Sequence, residues 1–253
     1  MQSIARGIAS ELVPGTLHLS SPVVSIEQLA PDSCTVSTAA GKVSRCRKVI
    51  VPVPTPLLSS IKFSPHLPEA KATLSASTAL GYYSKMIYVF DHPWWRDAGL
   101  SGVFESVTGP VSFTRDTSIP ADGQWSISCF IVGEPGRRWS QLPDVLGRQR
   151  IWEQFSRAFG SVVASVPQPV NVIKMEWTKE AWFGGAPSPV MGPGILSTVG
   201  HALKTPCGDV HFVGTETADV WKGYMEGAVR SGRRGAREVI AALREATVQQ
   251  PSR

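Results

Sequence analysis

The part of the chain best suited to chemistry is residues 210–237, which read VHFVGTETADVWKGYMEGAVRSGRRGAR. This pattern predicts a buried strand, a turn of small residues, an aromatic loop and then a helix. A strand end followed by a helix N-terminus offers free backbone N–H groups and a positive dipole end to an anion or a polarised carbonyl. Gly223, Gly227 and Gly232 would let a cofactor or another backbone segment come close, although glycines also serve turns and helix packing.

The second candidate for a functional residue is a lysine inside an apolar strand. Lys85 lies within the alternating run SKMIYVF at residues 84–90, which predicts a strand. A buried lysine is costly unless it is neutral or has a partner, so burial of Lys85 would favour a functional role. A solvated position at a sheet edge is the alternative, and the residues alone leave both open.

A mixed α/β scaffold must position these candidate residues. Hydrophobic periodicity and turn residues predict this scaffold. Residues 52–68 contain five prolines, which exclude regular helix and central strand, so they are expected to cross between two sub-regions. Helices are expected over residues 3–12, 143–159, 195–203 and 226–243. Strands are expected over residues 17–19, 23–28, 34–37, 48–53, 84–90, 111–114, 125–132, 170–177 and 209–213.

Composition and charge exclude several classes of protein. The 253 residues are 42% hydrophobic and 18% charged, as expected for a globular chain with a real core. The four cysteines and five histidines are dispersed, so no metal site is expected. The net charge of +5 is scattered, apart from one cluster whose spacing favours a solvated helix face over a nucleic-acid site: Arg230, Arg233, Arg234 and Arg237.

The sequence carries no recognisable membrane or export signal. Residues 1–12 are too polar for a signal peptide, and no apolar run approaches the ~20 residues of a membrane span. We therefore expect a soluble protein of the cytoplasm or another intracellular compartment, with no membrane partner.

The run GTETADVWKGYMEGAV at residues 214–229 resembles the C-terminal flavin-binding signature of the flavin-containing monoamine oxidase family. The resemblance implies FAD as the cofactor, with Gly214 and Thr215 contacting its phosphate and ribityl region. It also implies that the Met225 backbone N–H contacts the pyrimidine edge of the flavin, where reduction builds negative charge. Tyr224 would form one wall of the aromatic cage in front of the flavin ring.

A second similar segment is GYYSKMIYVFDHPWWRDAGLSG at residues 81–102. It matches the family segment that holds the active-site lysine, which implies that Lys85 holds a water against flavin N5 and assists reoxidation. By the same resemblance, Phe113 and Phe130 line the substrate cavity, although an aromatic residue in a strand is more often simply core. Val23 would contact the adenine through its backbone.

The third similar segment, EWTKEAWFGGAPSPVMGPGIL at residues 176–196, resembles the loop that approaches the dimethylbenzene ring of the flavin. Trp177 matches a tryptophan beside the flavin. Ala186 stands where animal monoamine oxidases have the cysteine that bonds to FAD, which implies non-covalent FAD. Pro187 replaces the second cage aromatic, which implies a wider or differently shaped substrate cleft.

The resemblance covers the C-terminal half of the family only, because the GxGxxG turn that holds the pyrophosphate and the acidic residue that holds the ribose have no counterpart here. The implied fold is α/β, a remnant of a two-domain FAD-dependent amine oxidase. Residues 1–74 and 180–243 would belong to an incomplete FAD-binding domain, residues 75–179 to a substrate domain with a mostly antiparallel sheet, and residues 244–253 to a tail.

The resemblance implies a function and leaves an alternative. The function is FAD-dependent oxidation of an amine to an imine, then to an aldehyde or ketone, with dioxygen reduced to hydrogen peroxide. The alternative is a truncated, non-catalytic remnant that binds flavin or another protein. Another chain, or a missing N-terminal half encoded upstream, would complete the FAD site in an active form.

Overall fold

A computed structural model describes residues 2–248 of the chain. The chain divides into two compact units. The first unit comprises the residues up to Thr78 and those from Met191 onward, and the second unit is Ala79–Val190. The sequence placed the boundaries at 74 and 179, and the assignment of the two units to FAD and substrate remains a proposal.

Helices and strands are interspersed along the chain. The helices are α1 Gln2–Ser10, α2 Glu69–Ala76, α3 Trp94–Asp97, α4 Gly133–Trp139, α5 Asp144–Gly160, α6 Ile195–Val199 and α7 Met225–Val248. The strands are β1 Val23–Ala30, β2 Ser33–Thr38, β3 Val43–Cys46, β4 Val49–Val51, β5 Lys62–Ser64, β6 Thr78–Leu80, β7 Tyr83–Phe90, β8 Phe113–Asp116, β9 Trp125–Val132, β10 Asn171–Glu176, β11 Pro189–Met191 and β12 Val210–Phe212.

The first unit contains two small sheets. One has the order β3-β2-β1-β5, in which β5 runs parallel to β1 and the other pairs are antiparallel. The other is the parallel pair β12-β4. Apolar side chains from both sheets and from residues 55–61, which lie between β4 and β5, form one buried cluster. Its members are Ile26, Val51, Leu58, Ile61, Phe63, Val210 and Phe212.

Helix α7 lies close against the strand β12 and the turn that follows it. A methyl group added at Gly235 would overlap Cγ1 of Val213. Arg234 donates to the Phe212 carbonyl at 2.8 Å and to the Thr217 hydroxyl at 3.0 Å. Glycine at position 235 therefore allows the helix to approach the sheet closely, and the arginine next to it ties the two elements together.

We expect Gly235→Ala to lower the free energy of unfolding by about 1–3 kcal/mol, because the added methyl overpacks the contact between helix and strand. Gly232→Ala is the matched control in the same helix. Its added methyl would meet no atom of the described residues within 4 Å, so it should raise stability by about 0.5–1 kcal/mol. Urea unfolding curves measure both changes, and equal effects of the two substitutions would contradict the close packing at Gly235.

The second unit is built on an antiparallel sheet of order β10-β7-β9-β8. Side chains along β7 alternate between half-buried and buried positions. The buried face packs against α5 and contributes to the largest apolar cluster of this unit. Met86, Tyr88 and Phe90 belong to this buried face, whereas Lys85 points from the opposite, half-buried face.

Several sequence predictions were wrong in detail. Residues 17–19 form no strand, and Leu17 and Leu19 are exposed. The exclusion of regular helix and central strand from the proline-rich residues 52–68 is confirmed, because this stretch forms a short 3-10 helix and then β5, which lies at the edge of its sheet. Helix α7 continues to Val248 and so includes residues 244–248 of the expected tail, since Arg244, Glu245 and Ala246 are good helix formers. Residues 249–253 lie outside the described part.

Candidate functional site

The turn after β12 has a backbone shape that requires glycine. Gly214 has φ 125° and ψ 159°, a region that other residues adopt only under strain. Its N–H donates to the hydroxyl of Ser231 in α7 at 3.0 Å, and Ser231 is buried. The strand therefore ends in a sharp turn that is fixed to the helix behind it.

The loop between this turn and α7 presents two of the predicted site residues. The Thr215 hydroxyl donates to the Tyr224 carbonyl at 2.8 Å, which ties the turn to the start of the helix. The Tyr224 ring is exposed and stands edge-on to Trp221, with 5.7 Å between ring centroids. Met225 begins α7, and the first N–H groups of a helix have no acceptor within it.

A buried acid and a buried base lie beneath the same turn, and the sequence reasoning missed both. Oε1 of Glu216 accepts a hydrogen bond from the Thr55 N–H at 2.7 Å and another from the Thr55 hydroxyl. Oε2 of Glu216 is buried and has no partner among the described residues. Burial raises the pKa of this carboxyl group. The position of Glu216 immediately after Gly214-Thr215 was the available signal.

The base is Lys71 in α2, which is 2% exposed. Its ammonium group donates to the Ala202 carbonyl and lies 3.6 Å from the centroid of the Phe212 ring. Burial lowers the pKa of Lys71 to about 8. Sequence could not reveal this environment, because it depends on how α2 packs against residues that are far away in the chain.

In the second unit, the structure brings three predicted residues together. Nζ of Lys85 lies 4.8 Å from the centroid of the Phe130 ring and 5.8 Å from that of Tyr83. Phe113 stacks on Phe130 with 4.4 Å between ring centroids. The register explains the arrangement, because Phe130 pairs directly with both Lys85 and Phe113 across the sheet. Lys85 is thus half-buried on an aromatic surface.

The segment after β10 supplies three further predicted residues. Trp177 follows the strand directly and stands edge-on to Phe183, with 5.2 Å between ring centroids. The Ala186 N–H donates to the Gly81 carbonyl at 3.0 Å, which holds this loop beside the start of β7. Pro187 follows Ala186 through a cis peptide bond.

Val23 stands apart from these groups. It begins β1, pairs with Thr38 of β2 and packs against the buried cluster of the first unit. The predicted residues of the first unit are therefore divided between β1 and the segment from Gly214 to Met225.

The start of α7 suits an anionic or carbonyl-bearing ligand, whereas the Gly214 N–H and the Thr215 hydroxyl already have partners within the protein. Gly214 bends the backbone without a side chain in the way, and the N-terminus of α7 follows at Met225. The residues present in the first unit thus fit part of a flavin nucleotide. Within residues 2–248, no group of three or more histidine, cysteine, aspartate or glutamate residues is arranged to hold a metal ion. No helix of the same residues is long and apolar enough to cross a membrane.

A sequence model of the family described as "Flavin containing amine oxidoreductase" matches residues 1–240. The chain belongs to this family. Membership confirms the resemblance seen in residues 214–229 and indicates a flavin cofactor for the family to which the chain belongs. It also confirms the expected fold class, an α/β chain related to FAD-dependent amine oxidases.

Relatives and solved structures of the family match the chain over nearly its whole length. An L-amino acid dehydrogenase from Synechocystis sp. is 32% identical over 240 residues, which cover 95% of this chain and 50% of the relative. Flavin-containing amine oxidase A from Bos taurus is 32% identical over 235 residues, or 92% of this chain and 44% of the relative. The chain therefore spans about half the length of these relatives.

Two solved structures show the same architecture. Cyclohexylamine oxidase from Brevibacterium oxydans IH-35A superposes with a TM-score of 0.86 at 30% identity, over 96% of this chain and 52% of the other. Wild-type putrescine oxidase bound to putrescine superposes with a TM-score of 0.87 at 26% identity, over 95% of this chain and 53% of the other.

Proposed function

We propose that this chain is part of an enzyme that uses FAD to oxidise an amine. The product is an imine, which water converts to an aldehyde or ketone, and dioxygen is reduced to hydrogen peroxide. The observation that carries this proposal is the lysine on an aromatic surface in the second unit, where Lys85 lies over Phe130 and Phe113 stacks beneath.

The residues proposed to hold FAD are taken unit by unit, beginning with those of the first unit. Gly214 and Thr215 would meet its phosphate and ribityl region, the Met225 N–H its pyrimidine edge, and Val23 its adenine. Trp177 would lie beside the ring system. When bound, FAD supplies the oxidising chemistry by accepting a hydride equivalent from the carbon next to the amine nitrogen.

Lys85 and the aromatic rings have separate tasks in this proposal. The ammonium group of Lys85, or a water that it holds, stabilises negative charge that develops as electrons pass to dioxygen. Phe113 and Phe130 bind the apolar part of the substrate and exclude water from the charged group above them. Tyr224 orients the uncharged amine before reaction, which converts binding energy into positioning.

We propose that FAD is held without a covalent bond. Ala186 has no sulfur atom to form a thioether, and its N–H is already engaged by the Gly81 carbonyl. Pro187, next to it, lacks the aromatic ring that would close the second side of a cage. The proposal therefore includes a substrate cleft that is wider or differently shaped.

Polypeptide beyond this chain is proposed to complete the FAD site. The chain spans about half the length of its relatives, and it contains no GxGxxG turn for the pyrophosphate. The same observations favour a second candidate function, a non-catalytic module that binds flavin weakly or binds another protein. The two candidate functions differ in whether the protein consumes an amine.

The test is the rate of oxygen consumption by the chain joined to the polypeptide that completes its FAD site, supplied with saturating FAD and an amine such as phenethylamine. We expect Lys85→Met to lower the rate with dioxygen by about tenfold or more, because a charge interaction made only in the transition state is lost. Binding of the amine should change less. Lys62→Met, an exposed lysine in β5, is the control and should leave the rate unchanged.

Two outcomes would count against the proposal. A protein with bound FAD that consumes no amine would support the non-catalytic module instead. An active protein in which Lys85→Met behaves like Lys62→Met would remove Lys85 from the machinery and leave it as an ordinary strand lysine.

A further inference from the structure

Two of the four cysteines face each other across neighbouring strands of the first unit. In the antiparallel pair of β2 and β3, Cys34 lies directly opposite Cys46. Residues that are directly opposite in such a pair share a face, and their Cα atoms lie about 4.5 or 5.5 Å apart. Both separations fall within the range of about 4.4–6.8 Å that a disulfide spans. The backbone therefore already holds the two cysteines at a suitable distance for a bond.

Side-chain contacts place both sulfur atoms between the two arms of this hairpin. Sγ of Cys46 lies 3.9 Å from the Cys34 carbonyl oxygen. Sγ of Cys34 lies 3.9 Å from the carbonyl oxygen of Arg47, the residue that follows Cys46. Each sulfur thus lies against the backbone of the opposite arm, and both thiols are free. A bond between them requires a rotation of side chains and no separation of the strands.

The other two cysteines have no such arrangement within residues 2–248. Cys129 belongs to β9 of the second unit and is fully buried. Cys207 forms an isolated bridge with Val210. Neither lies opposite a cysteine in the pairing of the strands. The cross-strand pair is therefore particular to Cys34 and Cys46.

The two paired thiols differ in their access to solvent. Cys34 is 1% exposed, whereas Cys46 is half-buried and belongs to the edge strand of the sheet. A small neutral oxidant such as hydrogen peroxide therefore reaches Cys46 first. Burial raises the pKa of both thiols, so they hold less thiolate at neutral pH and react more slowly than an exposed thiol does.

We propose that Cys34 and Cys46 form a reversible disulfide, which fastens β3 to β2, when they are exposed to hydrogen peroxide. The Cys46 sulfur attacks one oxygen of the peroxide, which breaks the O–O bond and gives a sulfenic acid and water. The Cys34 sulfur then attacks the sulfenic sulfur, which forms the S–S bond, breaks the S–O bond and releases a second water. The two sulfurs supply the two electrons that reduce the peroxide, and both thiol protons leave in the waters. A dithiol reductant restores the thiols by exchange.

The bond would act on a strand that is held from one side. Among the described residues, β3 pairs with β2 alone, and Val43, Ser44 and Arg45 are exposed. Such an edge opens locally more readily than a central strand does, and a protease cuts the opened form. A covalent bond from Cys46 to β2 would keep the strand closed. Cleavage by trypsin after Arg45 therefore reports whether the bond fastens β3.

The test treats the reduced 253-residue chain with about 1 mM hydrogen peroxide, alkylates the remaining thiols in urea and maps the tryptic peptides by mass spectrometry. Lys42 and Arg45 lie between the two cysteines, so a disulfide appears as joined peptides that a reductant separates. We expect the peptides of Cys34 and Cys46 to be joined, with the mass of two hydrogens lost. The other two cysteines should be recovered alkylated.

Serine variants separate the two roles. Cys46→Ser should leave Cys34 as a free thiol, because the accessible sulfur is gone. Cys34→Ser should leave Cys46 as a sulfenic or sulfinic acid, because no thiol is present to form the disulfide. Cys207→Ser is the control and should give the joined peptides at the rate of the wild type. The map of the wild type decides whether the bond forms even where a variant fails to fold.

Oxidation should slow tryptic cleavage of the folded chain after Arg45 by about tenfold. Cleavage after Lys222, which is exposed in the loop before α7, should not change. The inference is overturned if Cys34 and Cys46 are both recovered alkylated after peroxide treatment, or if either joins Cys207 as often as they join each other. A disulfide that leaves cleavage after Arg45 unchanged overturns the fastening of β3. Neither FAD nor an amine is present, so these outcomes are independent of the proposed amine oxidation.

Discussion

FAD is expected to bind the isolated 253-residue chain more weakly than it binds full-length relatives, by several kcal/mol. The first unit offers the turn at Gly214 and the start of α7 at Met225. The chain has no glycine-rich loop for the pyrophosphate. Each charge-assisted hydrogen bond lost with such a loop contributes about 1.5–3 kcal/mol.

Riboflavin makes this prediction specific, because it carries the ring system and the ribityl chain but no phosphate. The chain should prefer FAD over riboflavin much less than a full-length relative measured in parallel does, because only the phosphate and adenine contacts proposed for Gly214, Thr215 and Val23 remain. Quenching of flavin fluorescence during titration gives both affinities. Sub-micromolar binding of FAD by the chain alone would show that its own residues, or a second copy of it, rebuild the phosphate site.

Acid precipitation of a chain loaded with FAD tests the mode of attachment in the same samples. Ala186 provides no sulfur, so the yellow colour should remain in the supernatant. Flavin that stays with the precipitated polypeptide would mean that another residue forms the bond.

Local pattern predicted the elements that carry most of the candidate site. The limits of β9 agree with the prediction, and β7 begins one residue earlier than expected. Strand β7 shows regular alternation and β9 is a largely apolar run buried along most of its length, and sequence reports both patterns directly. The shared face of Lys85, Phe130 and Phe113 then follows from the register of the strands, which sequence left open.

Features that depend on distant parts of the chain could not be predicted. Leu17 and Leu19 have the composition of a strand, yet both are exposed and unpaired among the described residues, because a strand needs a neighbour as well as a pattern. The burial of Lys71 and Glu216 depends on α2 and the turn after β12 packing against one core. The placement of Arg115 over the Phe113 ring is likewise a property of the side-chain packing.

The buried Lys71 is expected to make a contribution to the stability of the chain that rises with pH between about 8 and 10.5. Its pKa is lowered by burial to about 8 in the folded state, from an ordinary value of 10.5. Below pH 8, both states carry the proton, and the folded state bears the cost of a buried ammonium. Between the two values the folded state has lost its proton while the unfolded state keeps it, so stability increases with pH. The full change corresponds to about 3 kcal/mol.

Lys71→Met should abolish this rise, since methionine fills a similar volume without a titrating group. Lys62→Met, an exposed lysine of the same unit, should keep it. Urea unfolding of the wild type and both variants is measured at a series of pH values from about 7 to about 11. The difference in unfolding free energy between the wild type and Lys71→Met then gives the contribution of Lys71 at each pH. Cysteines and tyrosines also titrate there, but they are common to all three proteins and cancel. A wild type that parallels Lys71→Met across this range would mean that Lys71 is solvated in the folded chain. The contacts of its ammonium group with the Ala202 carbonyl and the Phe212 ring would then contribute nothing to its titration.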